Sequence, residues 1–111
     1  MMTNVKIYRN KEKRIVRYKV YGHSKYSEAG TDIVCAAVSA VVQTAALGLI
    51  GVAGIKAEYE TGDAYFECIL PEDMDENLRE KAHVILETMI LGIREFQDQY
   101  SRYIRIFEVE V

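Results

Sequence analysis

The chain has 111 residues, of which 50% are hydrophobic and 28% charged, and its formal net charge is −3. This length fits one domain over residues 1–111, and the apolar content is enough for a core, which excludes a disordered protein. Because a mildly acidic domain gains little from releasing counterions on nucleic acid, a dedicated nucleic-acid-binding protein is disfavoured.

The N-terminal segment alternates apolar and polar residues and predicts a β-hairpin. Residues 5–8 and 16–21 carry the alternation, and the polar run at 10–14 between them is the predicted turn. Residues 22–31 contain two glycines and two serines and show no periodicity. That composition predicts a loop.

An apolar run follows and predicts a helix from Asp32 to Gly48 or Gly51. Thr31 or Asp32 is the candidate N-cap, and the glycines are stop signals. Residues 33–53 carry no charge and are long enough to cross a bilayer, which leaves a membrane helix as an alternative. The run is rich in Ala and Gly and lacks a basic flank, so we expect a buried helix and no membrane insertion.

The C-terminal half predicts a second hairpin, a long helix and a last strand. Residues 55–60 and 64–70 alternate around a turn at 61–63, and residues 102–111 form the last strand. The helix from Asp73 to Tyr100 has one apolar stripe, made of Leu78, Ala82, Ile85, Met89, Ile93, Phe96 and Tyr100. The order ββαββαβ predicts a two-layer α+β fold, with both helices on one face of a mostly antiparallel sheet.

Cysteine and histidine are scarce, so a nucleophile or base of the usual type must be one of four side chains: Cys35, Cys68, His23 and His83. Two cysteines cannot form a disulfide framework, and the four residues lack metal-ligand spacing. We therefore expect no metal, no cofactor and a reducing, cytoplasmic setting. Cys68 alternates with core residues of its strand, and His83 lies on the flank of the second helix.

Cys35 is the candidate nucleophile, because it lies in the first turn of the predicted helix. Free backbone N–H groups and the helix dipole there favour a thiolate, which is the reactive form. At 100° per residue four polar side chains share one side of the helix: Asp32, Cys35, Ser39 and Gln43. Such a row indicates a cleft, although Cys35 could instead be a small buried hydrophobe.

His23 is the candidate base, since it stands in the loop twelve residues before Cys35. Folded over the helix start, it could take the thiol proton and later protonate a leaving amine. Gly22 and Gly30 bracket the loop and would allow it to move as a lid. A solvated loop histidine is the alternative, and Asp32 is either a helix cap or a group that orients His23.

Residues 22–40 resemble the signature of the ribosomal-processing cysteine protease family, known as Prp. The resemblance is carried by the Gly22-His23 pair, by Gly30, by the run from Asp32 to Ala36 that contains Cys35, and by the Ser39-Ala40 pair. The length, element order and long second helix also suit the family. The resemblance implies a small dimeric bacterial cysteine endopeptidase that removes a short N-terminal extension from a large-subunit ribosomal protein.

The resemblance also implies roles for individual residues. It makes Cys35 the nucleophile and His23 the base, with Asp32 and Ser39 supporting them. It makes the segment from Gly22 to Thr31 the substrate loop, in which Gly22, Ser24, Tyr26 and Gly30 are the named candidates.

A second function and a partner surface also follow from the residues. A non-catalytic ribosome-assembly factor could bind RNA or a ribosomal protein through a basic cluster: Lys11, Lys13, Arg14, Arg17 and Lys19. Val84 and Leu91 stand opposite the core stripe of the second helix. We expect a homodimer contact there.

Overall fold

The computed structural model describes residues 2–22 and 29–111, with only the backbone described for residues 29–32. The described part of the chain forms seven regular elements in the order β1 (Thr3–Arg9), β2 (Ile15–Tyr21), α1 (Ala29–Leu47), β3 (Glu58–Gly62), β4 (Tyr65–Ile69), α2 (Glu76–Gln99) and β5 (Ile104–Glu110). A π-helical turn at Gly48–Val52 follows α1 directly. The predicted order ββαββαβ is confirmed.

The strands form one mixed sheet in the order β3-β4-β2-β1-β5. The two hairpins pair antiparallel, and β2 also pairs antiparallel with β4, which joins the hairpins. β5 pairs parallel with β1, because α2 carries the chain back along the sheet before the last strand begins. The mostly antiparallel α+β fold expected from the sequence is therefore confirmed.

The core lies between the sheet and the two helices. Alternate sheet residues are buried against it, among them Val5, Ile7, Tyr18, Val20 and Cys68. α1 contributes a stripe at intervals of four residues, namely Val34, Val38 and Val42, and α2 contributes Ala82, Leu86, Met89, Ile90 and Ile93. The predicted core position of Cys68 is confirmed, since its side chain is 0% exposed.

The predicted start of the first helix is wrong by three residues. α1 begins at Ala29, so Thr31 and Asp32 lie inside the helix and neither is its N-cap. Gly30 is typical of a loop, but one glycine costs a helix only about 1 kcal/mol and is tolerated. Cys35 consequently lies in the second helical turn, beyond the free amides of the first.

One face of the apolar helix α1 packs in the core. Ile33–Val52 is long and apolar enough to cross a membrane by length and composition, a test that the core helix of a soluble protein also passes. Val38, Val42 and Leu49 are each 0% exposed within the core. These contacts favour the buried helix expected from the sequence.

Candidate active site

Cys35 lies in the wall of an open cavity at the end of the sheet where β1 begins and β2 ends. The cavity has a volume of about 260 Å³, and the Cys35 side chain is half-buried in it. α1 forms one wall, and the ends of β1 and β2 and the turn between β3 and β4 form the others. The lining residues on α1 are Cys35, Ala36, Ser39, Val42 and Gln43.

The polar side of α1 faces this cavity, as its helical spacing predicted. Cys35, Ser39 and Gln43 all line it, and the Gln43 Nε2 group donates a hydrogen bond to Ser39 Oγ at 2.7 Å. The hydroxyl of Ser39 is therefore held by the next polar residue of the row. The side chain of Asp32, the fourth member, lies outside the described residues.

The Cys35 thiol has a polar partner on another element of the fold. Thr3, the first residue of β1, places its Oγ1 atom 3.0 Å from Cys35 Sγ. Thr3 is 2% exposed, so its hydroxyl is buried between strand and helix. Thr3 could not be found from the sequence, because 32 residues separate it from Cys35 and the pattern of β1 shows only that a strand starts near it.

Gly22 brings the chain from β2 to the edge of the cavity. Its φ of +83° lies in the left-handed region that favours glycine, and its N–H group donates to the carbonyl of Ala64 at 3.1 Å. A Cβ atom there would lie only 3.1 Å from the side-chain Nδ2 atom of Asn4, which is a tight contact. The next residue along the chain is His23, so the predicted base follows directly after a cavity-lining residue.

The remaining predicted site residues differ in whether the structure describes them. His23, Ser24 and Tyr26 lie outside the described residues. Gly30 belongs to the backbone of α1, so the predicted loop end at Thr31 is wrong. The roles assigned to these residues stay predictions.

The turn between β3 and β4 forms the wall opposite α1, which no sequence pattern indicated. β3 continues to Gly62, so the turn consists of Asp63 and Ala64 rather than residues 61–63. Thr61, Gly62, Ala64 and Tyr65 line the cavity from this side. The alternation of the second hairpin was a signal for the turn, but only the pairing of β4 with β2 brings it beside Cys35.

The second pair of scarce side chains lies elsewhere. Cys68 is fully buried, and burial raises the pKa of its thiol to about 11, so the thiol is protonated at neutral pH. His83 is on α2, with its Nδ1 atom 3.9 Å from a carboxylate oxygen of Glu87, and does not line the cavity. The predicted flank position of His83 is confirmed.

Brief treatment of the folded protein with iodoacetamide near neutral pH is expected to label Cys35 at least about tenfold faster than Cys68, because alkylation needs an accessible thiolate. Peptide mapping by mass spectrometry measures both rates, and labelling in denaturant, where both thiols are accessible, is the control. Equal, slow labelling of the two thiols in the folded protein would mean that Cys35 is structural.

The fold and the cavity together define a small α+β domain in which a half-buried thiol on α1 lines an open cavity and is a candidate nucleophile. A family model described as cysteine protease Prp matches residues 2–105 of the chain. The chain belongs to the cysteine protease Prp family, as its motif from Gly22 to Ala40 suggested.

Named relatives and solved structures agree with this assignment. The ribosomal processing cysteine protease Prp of Bacillus subtilis is 33% identical over 107 residues, which cover 95% of this chain and 96% of the relative. The crystal structure of the Staphylococcus aureus ribosomal processing protease Prp with a substrate peptide is similar at a TM-score of 0.85 and 25% identity, covering 97% of this chain and 100% of that one. The same enzyme with a covalently linked product peptide matches at a TM-score of 0.82 and 26% identity.

Proposed function

We propose that this protein is a bacterial cysteine endopeptidase that removes a short N-terminal extension from a large-subunit ribosomal protein during ribosome maturation. The observation that carries the proposal is the Cys35 thiol in the wall of an open cavity. Support comes from the S. aureus relative, whose structures hold a substrate peptide and a covalently linked product peptide. The net charge of −3 complements a basic ribosomal protein, and two free thiols suit the cytoplasm.

In the proposed reaction, Cys35 Sγ attacks the scissile carbonyl while His23 takes the thiol proton. His23 then gives that proton to the leaving amine, and water hydrolyses the thioester that joins the new carboxyl end to Cys35. Asp32 and Ser39 support this pair. Because α1 begins at Ala29, the free helix amides that could donate to the oxyanion include those of residues 29–31.

Incubation with the extended ribosomal protein of the same organism tests this function. We expect a single cut within the extension, detected by mass spectrometry as one shortened protein and one released peptide. Prior alkylation of Cys35 is expected to block the cut. Cleavage that survives complete alkylation would rule out a thiol mechanism.

The alternative of an RNA-binding assembly factor has weaker support. Its basic cluster is partly neutralised, because Arg14 bonds Glu80 at the surface and Arg17 bonds Glu67. Lys11 and Lys13 at the hairpin tip are exposed, and Lys19 lies over the ring of Tyr21, but three lysines provide little counterion release. Such a factor would bind RNA with strong salt dependence and would be indifferent to alkylation of Cys35.

We further propose that the protein is a homodimer that associates through the outer face of the two helices. Val84 and Leu91 are each 63% exposed on α2, and Leu47 is 70% exposed on α1. Between the helices lies an apolar groove of about 570 Å³, lined by Ala40, Val41, Thr44, Ala45, Val84, Ile85, Thr88, Met89 and Gly92. Soluble monomers rarely expose an apolar face of this kind, and a two-fold axis would cover it with a second copy.

Light scattering is expected to give the mass of two chains for the native protein and of one chain for Leu91→Asp. The charge would have to be buried in the proposed interface, which is costly without a partner. Val111→Asp is the matched control, because Val111 is also exposed, at 61%, but follows β5. A native mass of one chain, or equal effects of both variants, would contradict the interface.

A further inference from the structure

The proposed reaction gives no role to Thr3, the residue of β1 that contacts the Cys35 thiol. Thr3 is almost fully buried, and in the described part of the chain its hydroxyl has one hydrogen-bond partner, Cys35 Sγ at 3.0 Å. A buried hydroxyl without a partner is destabilising, so this contact satisfies Thr3 as well as touching the sulfur. The same threonine lines the cavity.

The backbone of Thr3 is held independently of this contact. Its N–H group donates to the carbonyl of Tyr103 at 2.8 Å, and its Cα pairs with that of Ile104 at the start of β5. Two strands therefore fix the position from which the hydroxyl meets α1. The sulfur of Cys35 therefore meets a hydroxyl that is held in place by β1 and by the chain at the start of β5.

We propose that Thr3 is a positioning residue that donates its hydroxyl hydrogen to the Cys35 thiolate. While the thiol keeps its proton, either atom can donate. Once the proton leaves, the sulfur can only accept, and the hydroxyl becomes the donor. Hydrogen bonds to a charged acceptor are stronger than those between neutral groups, so the contact favours the thiolate and holds Sγ toward the cavity.

This role rests on the proposed function of Cys35, but it predicts an effect on thiol reactivity that needs no peptide substrate. Thr3→Val keeps the shape of the side chain and removes the hydroxyl. Loss of one hydrogen bond to a charged group is expected to slow alkylation of Cys35 near neutral pH by about tenfold. The pH of half-maximal alkylation should rise by about one unit.

Thr3→Ser is the rescue variant, because serine retains the hydroxyl and lacks only the methyl group. It should keep the native pH profile of alkylation. Ser101→Ala is the control, since it removes the hydroxyl of an exposed serine in the turn before β5, away from both the cavity and the proposed interface. That variant should also label as the native protein does.

Peptide cleavage then separates positioning from binding. In Thr3→Val we expect kcat to fall with little change in KM, and in Thr3→Ser we expect both to stay near native values. If Thr3→Val has the native pH profile of alkylation, Thr3 only packs against the helix and the inference is wrong. If the alkylation profile shifts as expected but no peptide is cut by any variant or by the native protein, the proposed protease function fails instead.

Discussion

Cys35→Ala is expected to abolish cleavage of a peptide that spans the extension junction, and Cys35→Ser is expected to reduce kcat by roughly a thousandfold or more. Alanine removes the attacking atom. Serine keeps a hydroxyl in its place, but an alcohol is much less acidic than a thiol and forms far less anion at neutral pH. Cleavage rates are read by mass spectrometry from timed samples at saturating peptide.

Cys68→Ala is the matched control for these two variants. Cys68 is the other free thiol of the chain, lies 0% exposed in the core and does not line the cavity. Its replacement is expected to lower stability modestly and to leave kcat unchanged. Loss of activity in Cys68→Ala together with retained turnover in Cys35→Ala would show that Cys68, and not Cys35, is the nucleophile.

His23→Ala is expected to lose cleavage to a similar extent, because no proton would pass from the thiol or to the leaving amine at the usual rate. Gly22, which precedes His23, lines the cavity with Cys35. Cleavage rates of the native protein and of the variant are compared across pH by mass spectrometry. Turnover that persists in His23→Ala with an unchanged pH profile would remove His23 from the mechanism.

The order of elements could be predicted from the sequence because each element carries its own period. Alternation marked both hairpins, and spacing by three and four marked α2. The start of α1 could not be predicted, since Gly30 is compatible with both a loop and a helix interior, and the choice depends on backbone hydrogen bonds that no pattern records. The pairing of β5 with β1 was also not visible, because it depends on the path of α2 across the sheet.

The helical half of the site could be predicted and the strand half could not. Cys35, Ser39 and Gln43 share a face because they lie four residues apart on one helix, and all three line the cavity. Thr3 and Tyr65 belong to strands that are distant from Cys35 in the sequence, and they reach the cavity only through sheet pairing. Local periodicity contains no information on such pairing, so a resemblance to a family motif of about twenty residues could not supply these residues either.

Tyr18→Ala is expected to lower the free energy of unfolding by about 3–5 kcal/mol, the range for deleting a large buried aromatic side chain. Tyr18 is 0% exposed in the centre of the sheet, and its ring lies 6.2 Å from that of Phe66 between centroids. Its hydroxyl donates to the carbonyl of Val42 at 2.8 Å. Since Phe66 and Val42 both line the cavity, Tyr18 packs directly behind the cavity wall.

Tyr18→Phe separates the two contributions of this side chain. It keeps the ring and removes one hydrogen bond, so urea denaturation should show a loss of about 1 kcal/mol with an unchanged kcat. Tyr59→Ala is the matched control, because Tyr59 also stacks on Phe66, at 6.0 Å between centroids, but is 57% exposed on β3. A loss in Tyr18→Ala no larger than in Tyr59→Ala would mean that Tyr18 does not support the core. A large fall of kcat in a fully folded Tyr18→Phe would instead assign its hydroxyl a direct part in shaping the cavity, through the α1 backbone at Val42.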